Sequence, residues 1–157
     1  MSGNEKKSAD NAPDLTKAET FRHWTQVSIR FSDEDNMGHI NNVAYGAYVE
    51  QARVAFIDAF LKSGGPGGID YVLANVNIDF RREMHFPGTV DIGARLIRIG
   101  TKSITTGYGL FKDSENVATA GSVNVFFDNK STKTIPIPEE LRKGLEDELA
   151  KGLAATT

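Results

Sequence analysis

Apolar and polar positions divide the chain into strands, one long helix and a short closing helix. Val27, Ile29 and Phe31 alternate with polar residues at period two, which predicts a strand across residues 21–31. A break over residues 32–40 follows. Asn41 or Asn42 then supplies a side-chain oxygen able to cap a helix. That helix is expected over residues 43–62, roughly 30 Å long at the usual rise. Ala44, Tyr45, Tyr48, Val49, Ala52, Ala55, Phe56, Ala59 and Phe60 share one face. Val54, Ile57 and Leu61 lie on another, near Glu50 and Arg53. The run Gly64, Gly65, Pro66, Gly67, Gly68 ends the helix. Four strands are predicted next, over residues 76–80, 90–96, 103–112 and 116–128. Their short connections favour antiparallel pairing. Pro136 and Pro138 precede a last helix with Leu141, Leu145 and Leu149 at four-residue spacing.

One antiparallel sheet and one long helix pack as two layers, an α+β arrangement. The apolar surface of the helix is too broad for one flat sheet face. A strongly curved sheet or a second subunit must cover the rest, so a homo-oligomer is expected.

Composition narrows the picture. At 157 residues the chain makes one domain with a real core. The first 20 residues, with Glu5, Asp10, Asp14 and Glu19 and no apolar run, read as a mobile tail. They also lack the features of a secretory or transit leader. Residues 21–157 form the domain. No stretch offers the ~20 apolar residues of a membrane span. Cysteine is absent, which removes disulfides, thiolate metal sites and a cysteine nucleophile and fits the cytoplasm. His23, His39 and His85 have no metal-ligand spacing, so no metal site is expected. A net charge of −3 argues against nucleic acid as a partner.

The chemistry concentrates between Arg30 and Arg53. A strand-like run ends in the paired carboxylates Asp33 and Asp35. A short turn carries Gly38 and His39, and Asn41 and Asn42 open the helix. The layout directs a carboxylate and free backbone N–H groups at one point, a way to attack a carbonyl without serine, cysteine or metal. Gly38 suits a tight turn or a close approach by substrate. Glu50 and Arg53 are spaced to pair on the helix.

The residues Arg30, Phe31, Asp33, Asp35, Gly38, His39, Ile40, Asn41, Asn42, Tyr45, Tyr48, Glu50, Ala52 and Arg53, at these spacings, resemble the hotdog-fold thioesterases. The likeness is to their 4-hydroxybenzoyl-CoA thioesterase-like acyl-CoA thioesterase branch, and it extends more loosely over residues 21–130. It implies a sheet wrapped around the central helix, a homodimer or homotetramer with sites at the subunit interface, and hydrolysis of an acyl-CoA thioester. No metal or redox cofactor is implied. Carried over residue by residue, the resemblance makes Asp35 the nucleophile or general base and the Asn42 N–H the oxyanion donor. His39 then positions substrate or water. Gly38, Asn41 and Tyr45 are candidate substrate contacts. Arg82 and Lys102 are candidate cations for the phosphates of coenzyme A. Plant acyl-carrier-protein thioesterases have an Asp, an Asn and a His in the similar segment, but here Met37 stands in the Asn place. An acyl-carrier-protein thioesterase and a non-catalytic acyl-CoA-binding protein remain the alternatives.

Overall fold

A computed structural model describes residues 12–62 and 67–155. The order is β1 (His23–Ser28), α1 (Asn42–Lys62), β2 (Ile69–Phe80), β3 (Thr89–Ile99), β4 (Ser103–Lys112), β5 (Glu115–Asp128) and α2 (Glu139–Ala155). The strands form one sheet in the order β1-β3-β4-β5-β2, every pair antiparallel. With α1 packed on one face, this is the expected hotdog arrangement. Gly64, Gly65 and Pro66, read as the helix stop, lie outside the described residues.

The predicted first strand ends early. Ile29 is buried and donates its N–H to Gly88 O (2.9 Å), but Phe31–Asp33 forms a single helical turn instead of extending β1. The reason is local. The Arg30 N–H donates to Asp33 Oδ2 (2.9 Å) and the Arg30 guanidinium to Asp33 Oδ1, so the carboxylate folds back on its own backbone. Phe31 swings outward, 73% exposed, with its ring edge-on to Phe86.

Strand register decides which side chains meet α1. Ile92, Ala94 and Leu96 of β3 pair with Leu110, Tyr108 and Thr106 of β4, which pair in turn with Ala118, Ala120 and Ser122 of β5. Together with Val49, Ala52, Phe56 and Ile57 of α1, the apolar members form one core. A polar knot sits among them. Thr106 Oγ1 lies 2.6 Å from the Tyr108 hydroxyl and 2.7 Å from Ser122 Oγ, and Ser122 donates to Asn124 Oδ1 (3.2 Å). Mutual satisfaction lets these hydroxyls stay fully buried. Burial pushes the Tyr108 pKa above its ordinary value. The second face read for α1 divides: Ile57 and Arg53 are buried, while Val54 stays 40% exposed.

The opposite face of the sheet is partly covered by the chain itself. Residues 12–20, which fall in the stretch read as a tail, are described, and residues 1–11 lie outside the described residues. The Thr20 hydroxyl donates to Asp14 O (2.7 Å), and the Arg95 guanidinium donates to Thr20 O (3.2 Å). Phe21 packs where Gly93 and Gly109 leave room, so closely that a Cβ on Gly93 would stand 2.3 Å from Phe21 Cγ. The far edge, β2, is less covered. Its register sets Val76, Ile78 and Phe80 on the face that carries α1, yet Val76 and Phe80 remain 43% and 48% exposed.

Gly93→Ala should therefore cost about 1–3 kcal/mol, since Phe21 must leave its seat. Gly144→Ala in α2, where nothing lies within 4 Å of the added carbon, should gain up to about 1 kcal/mol. Urea unfolding of both variants checks this. Equal stability of wild type and Gly93→Ala would contradict the described packing.

Candidate active site

The turn between the short helix and α1 is held by two carboxylates with different duties. Asp33 has a side chain only 3% exposed. It accepts from the Arg30 backbone and guanidinium and from the Tyr48 hydroxyl (2.7 Å). Burial alone would raise its pKa. The hydrogen bonds from Tyr48 and Arg30, with the guanidinium charge, outweigh burial and hold the carboxyl below the ordinary value. Burial, followed by the Asp33 carboxylate, pushes the Tyr48 phenol well up. The Asn41 N–H also donates to Asp33 O (2.8 Å), which ties the start of α1 to this anchor.

Asp35 is exposed. Its Oδ1 accepts the N–H groups of Met37 (2.8 Å) and His39 (3.1 Å), and its own N–H donates to His39 O (2.8 Å). Gly38 closes this turn at φ +77°, a conformation that favours glycine. Oδ2 of Asp35 carries no hydrogen bond among the described residues, so one oxygen fixes the turn and the other has no partner there.

Asn41 is the cap of α1. Its Oδ1 accepts from the Val43 N–H (3.0 Å) and its carbonyl from the Ala44 N–H (2.9 Å). The Asn42 N–H, first in the helix, has no partner among the described residues. It stands at the positive end of the helix dipole.

Asp35, His39, Ile40, Asn42, Tyr45, Phe80, Arg81, Arg82 and Glu83 line one cleft of about 290 Å³. It thus brings together five of the residues singled out in the sequence: Asp35, His39, Asn42, Tyr45 and Arg82. Tyr45 is buried and donates to Arg82 O (3.1 Å), and burial raises its pKa. The Arg82 guanidinium pairs with Glu115 (3.0 Å), both exposed. Gly38 sits behind the cleft, its carbonyl 2.9 Å from His85 Nδ1. Lys102 is not brought in. It lies in the β3–β4 connection, where its carbonyl accepts the Phe126 N–H, at the other end of the sheet from Phe80. Glu50 and Arg53 pair at 3.6 Å on α1, outside the cleft lining.

Sequence reading missed Phe80, Glu83 and His85. The signal was the alternation Glu83, Met84, His85. Met84 is 1% exposed, so its two polar neighbours project together to the other side. His39 Nε2 stands 3.3 Å from Glu83 Oε2, and the His39 and His85 rings meet edge-on at 5.2 Å.

Comparison with known proteins gives one consistent result. Residues 29–145 match the model of the thioesterase-like superfamily. The long-chain acyl-CoA thioesterase FadM of Escherichia coli is 29% identical over 127 residues, 78% of this chain and 96% of its own. A 1,4-dihydroxy-2-naphthoyl-CoA hydrolase of Synechococcus elongatus is 23% identical over 128 residues, 77% of this chain and 93% of its own. Among solved structures, a Thermus thermophilus thioesterase complexed with coenzyme A and Zn superposes with a TM-score of 0.69. It is 26% identical, covering 80% of this chain and 98% of its own.

The Asp33 anchor can be checked by stability. Asp33→Asn should cost about 1.5–3 kcal/mol at pH 7, the range for hydrogen bonds to a charged group. A carboxylate whose folded pKa is depressed stabilises fully above its unfolded value of about 3.9. That contribution fades as pH falls through the lower folded pKa. The gap between wild type and variant should therefore be present at pH 7 and shrink below about pH 4. Identical urea midpoints at pH 7 would show that the anchor does not carry the turn.

Proposed function

We propose, since the chain belongs to the thioesterase-like superfamily and is a thioester hydrolase, that its substrate is an acyl-CoA, split by water into the free acid and coenzyme A. The observation that carries this reading is that Asp35 and Asn42, the residue whose N–H opens α1, line the same cleft. A thioester carbonyl placed there meets a carboxylate with a free oxygen and an unspent helix-terminal donor. In the route we favour, Asp35 Oδ2 takes a proton from water as the oxygen attacks the carbonyl carbon. The oxyanion is held by the Asn42 N–H and the helix dipole, and the intermediate collapses by expelling the thiolate, which then takes up a proton. Asp35 as nucleophile, through a mixed anhydride that water opens, uses the same two groups. His39 holds water or substrate beside them and Tyr45 shapes the wall, while Gly38 and Asn41, outside the cleft lining, act through the turn and the helix cap that set Asp35 and Asn42. Arg82 turns from Glu115 to the phosphates of coenzyme A, because an exposed pair of this kind is weak.

The same reading makes the protein a homodimer or homotetramer. A cleft of about 290 Å³ holds the reacting end of an acyl-CoA and little more. Beside it, β2 is an edge strand whose Val72, Leu73, Val76 and Phe80 are all more than a third exposed. Met37 and Val43 at the helix start are 77% and 78% exposed. A second copy covers these groups and deepens the site. We place the reaction in the cytoplasm, the kind of reducing compartment that a chain without cysteine fits.

Asp35→Asn keeps the oxygen that accepts the Met37 and His39 N–H groups, so the fold should survive. Turnover of a saturating acyl-CoA should fall by about 100-fold or more, with a smaller change in KM. Thiol release across a panel of acyl-CoA lengths, with an acyl-carrier substrate as comparison, measures this. Undiminished kcat would reject Asp35 as the reacting carboxylate.

Light scattering at micromolar concentration should give the mass of a dimer or tetramer, and Val76→Lys should lower both assembly and turnover. A stable, fully active monomer would contradict the shared site.

A further inference from the structure

Beside the cleft, three side chains converge that share no sequence spacing. His39 comes from the turn before α1, and Glu83 and His85 follow β2. Their ligand atoms, one from each residue, lie within 4.8 Å of one another. His39 Nε2 is 3.3 Å from Glu83 Oε2, and His85 Nε2 is 3.9 Å from the same oxygen. Both are ion-pair contacts, and the second is too long for a hydrogen bond. The other face of His85 is already spoken for. Its Nδ1 lies 2.9 Å from Gly38 O, and a carbonyl can only accept, so the proton sits on Nδ1. In the neutral imidazole Nε2 is then the bare nitrogen, 3.9 Å from the carboxylate oxygen. A lone pair near an anion, with the ring fixed by a backbone carbonyl behind it, is the usual support of a metal-ligating histidine.

We propose that His39, Glu83 and His85 bind a first-row divalent cation of the Zn²⁺ type. Four ligands at about 2.0–2.1 Å in a tetrahedron stand roughly 3.3 Å apart. The first pair meets that spacing, and small side-chain rotations close the others. Two imidazoles and one carboxylate select Zn²⁺ over Mg²⁺ and Ca²⁺, which take oxygen ligands. The three side chains are 32%, 65% and 57% exposed, so an ion can enter directly and keeps a position open to solvent. His39 and Glu83 also line the cleft. A bound ion therefore takes His39 away from water and substrate and inhibits hydrolysis. Only this last consequence rests on the thioesterase reading.

The test uses the full chain without a histidine tag, with zinc chloride titrated against a chromophoric chelator. Wild type should take up one Zn²⁺ per chain, unaffected by Mg²⁺ in excess. His85→Ala and Glu83→Gln should each weaken binding by about tenfold or more. His23→Ala should bind as wild type does, since His23 pairs with Glu148 elsewhere in the fold. No uptake by wild type, or equal affinity in His85→Ala, would overturn the site, whatever the enzyme's activity. Hydrolysis, read as free acid because thiols bind zinc, should be inhibited by Zn²⁺ in wild type and insensitive to it in His85→Ala. Uptake without inhibition would overturn the consequence for catalysis and leave the metal site standing.

Discussion

The buried carboxylate of Asp33 is the joint on which the site turns. Its two oxygens take hydrogen bonds from Arg30 and Tyr48, and its backbone carbonyl takes the Asn41 N–H. These bonds join the segment just past β1, the second turn of α1 and the helix cap. Removing a partner from a buried charge is costly, so the four groups hold one geometry. Asp35 and Asn42 flank this joint in sequence, and their positions at the cleft follow from it. The neighbouring acids thus divide the work: Asp33 is saturated and inside, while Asp35 spends one oxygen on its turn and keeps the other free.

The sheet shows the same economy of placement. Beneath α1 the central strands β3, β4 and β5 are apolar except for the knot of Thr106, Tyr108, Ser122 and Asn124, whose hydroxyls satisfy one another. On the opposite face, Gly93 and Gly109 bring Phe21 close enough to seal what bulkier residues would hold apart. At β2 neither device operates. Val76 and Phe80 face the side of α1 without being covered by it, and this is the edge that borders the cleft through Phe80.

Long periodic segments were legible in the sequence because local pattern and global packing agree there. The 43–62 helix and the strands around residues 90–96, 103–112 and 116–128 all lie within or close to their observed bounds. The first strand was overextended because Phe31 keeps the alternation while Asp33, two residues later, bends the chain through bonds to Arg30. Alternation cannot show a carboxylate folding back. The candidate pair Asp35 and Asn42 was legible as turn chemistry followed by a cap, and Tyr45 and Arg82 do line the same cleft. Lys102 was chosen for its charge, and charge alone says nothing about which end of a sheet a turn occupies. The His39, Glu83 and His85 cluster was invisible for a related reason: the return from β2 brings distant residues together, and metal-ligand spacing is a test only for ligands on one local element.

One physical tension remains in the single chain. Asp35 is exposed, and an exposed carboxylate interacts with a developing charge through water, where such effects are weak. The Asn42 N–H likewise gains most when solvent is excluded from the carbonyl it meets. The cleft has the polar groups of an active site but lacks its dry surroundings. Apolar residues that lack cover are its neighbours along the chain: Met37 and Val43 follow Asp35 and Asn42 closely in sequence, and Phe80, in the cleft lining, shares β2 with Val76. Bringing a second apolar surface onto them buries those side chains and dehydrates Asp35 in one step. In that arrangement the free energy of assembly and the electrostatics of catalysis share a single cause.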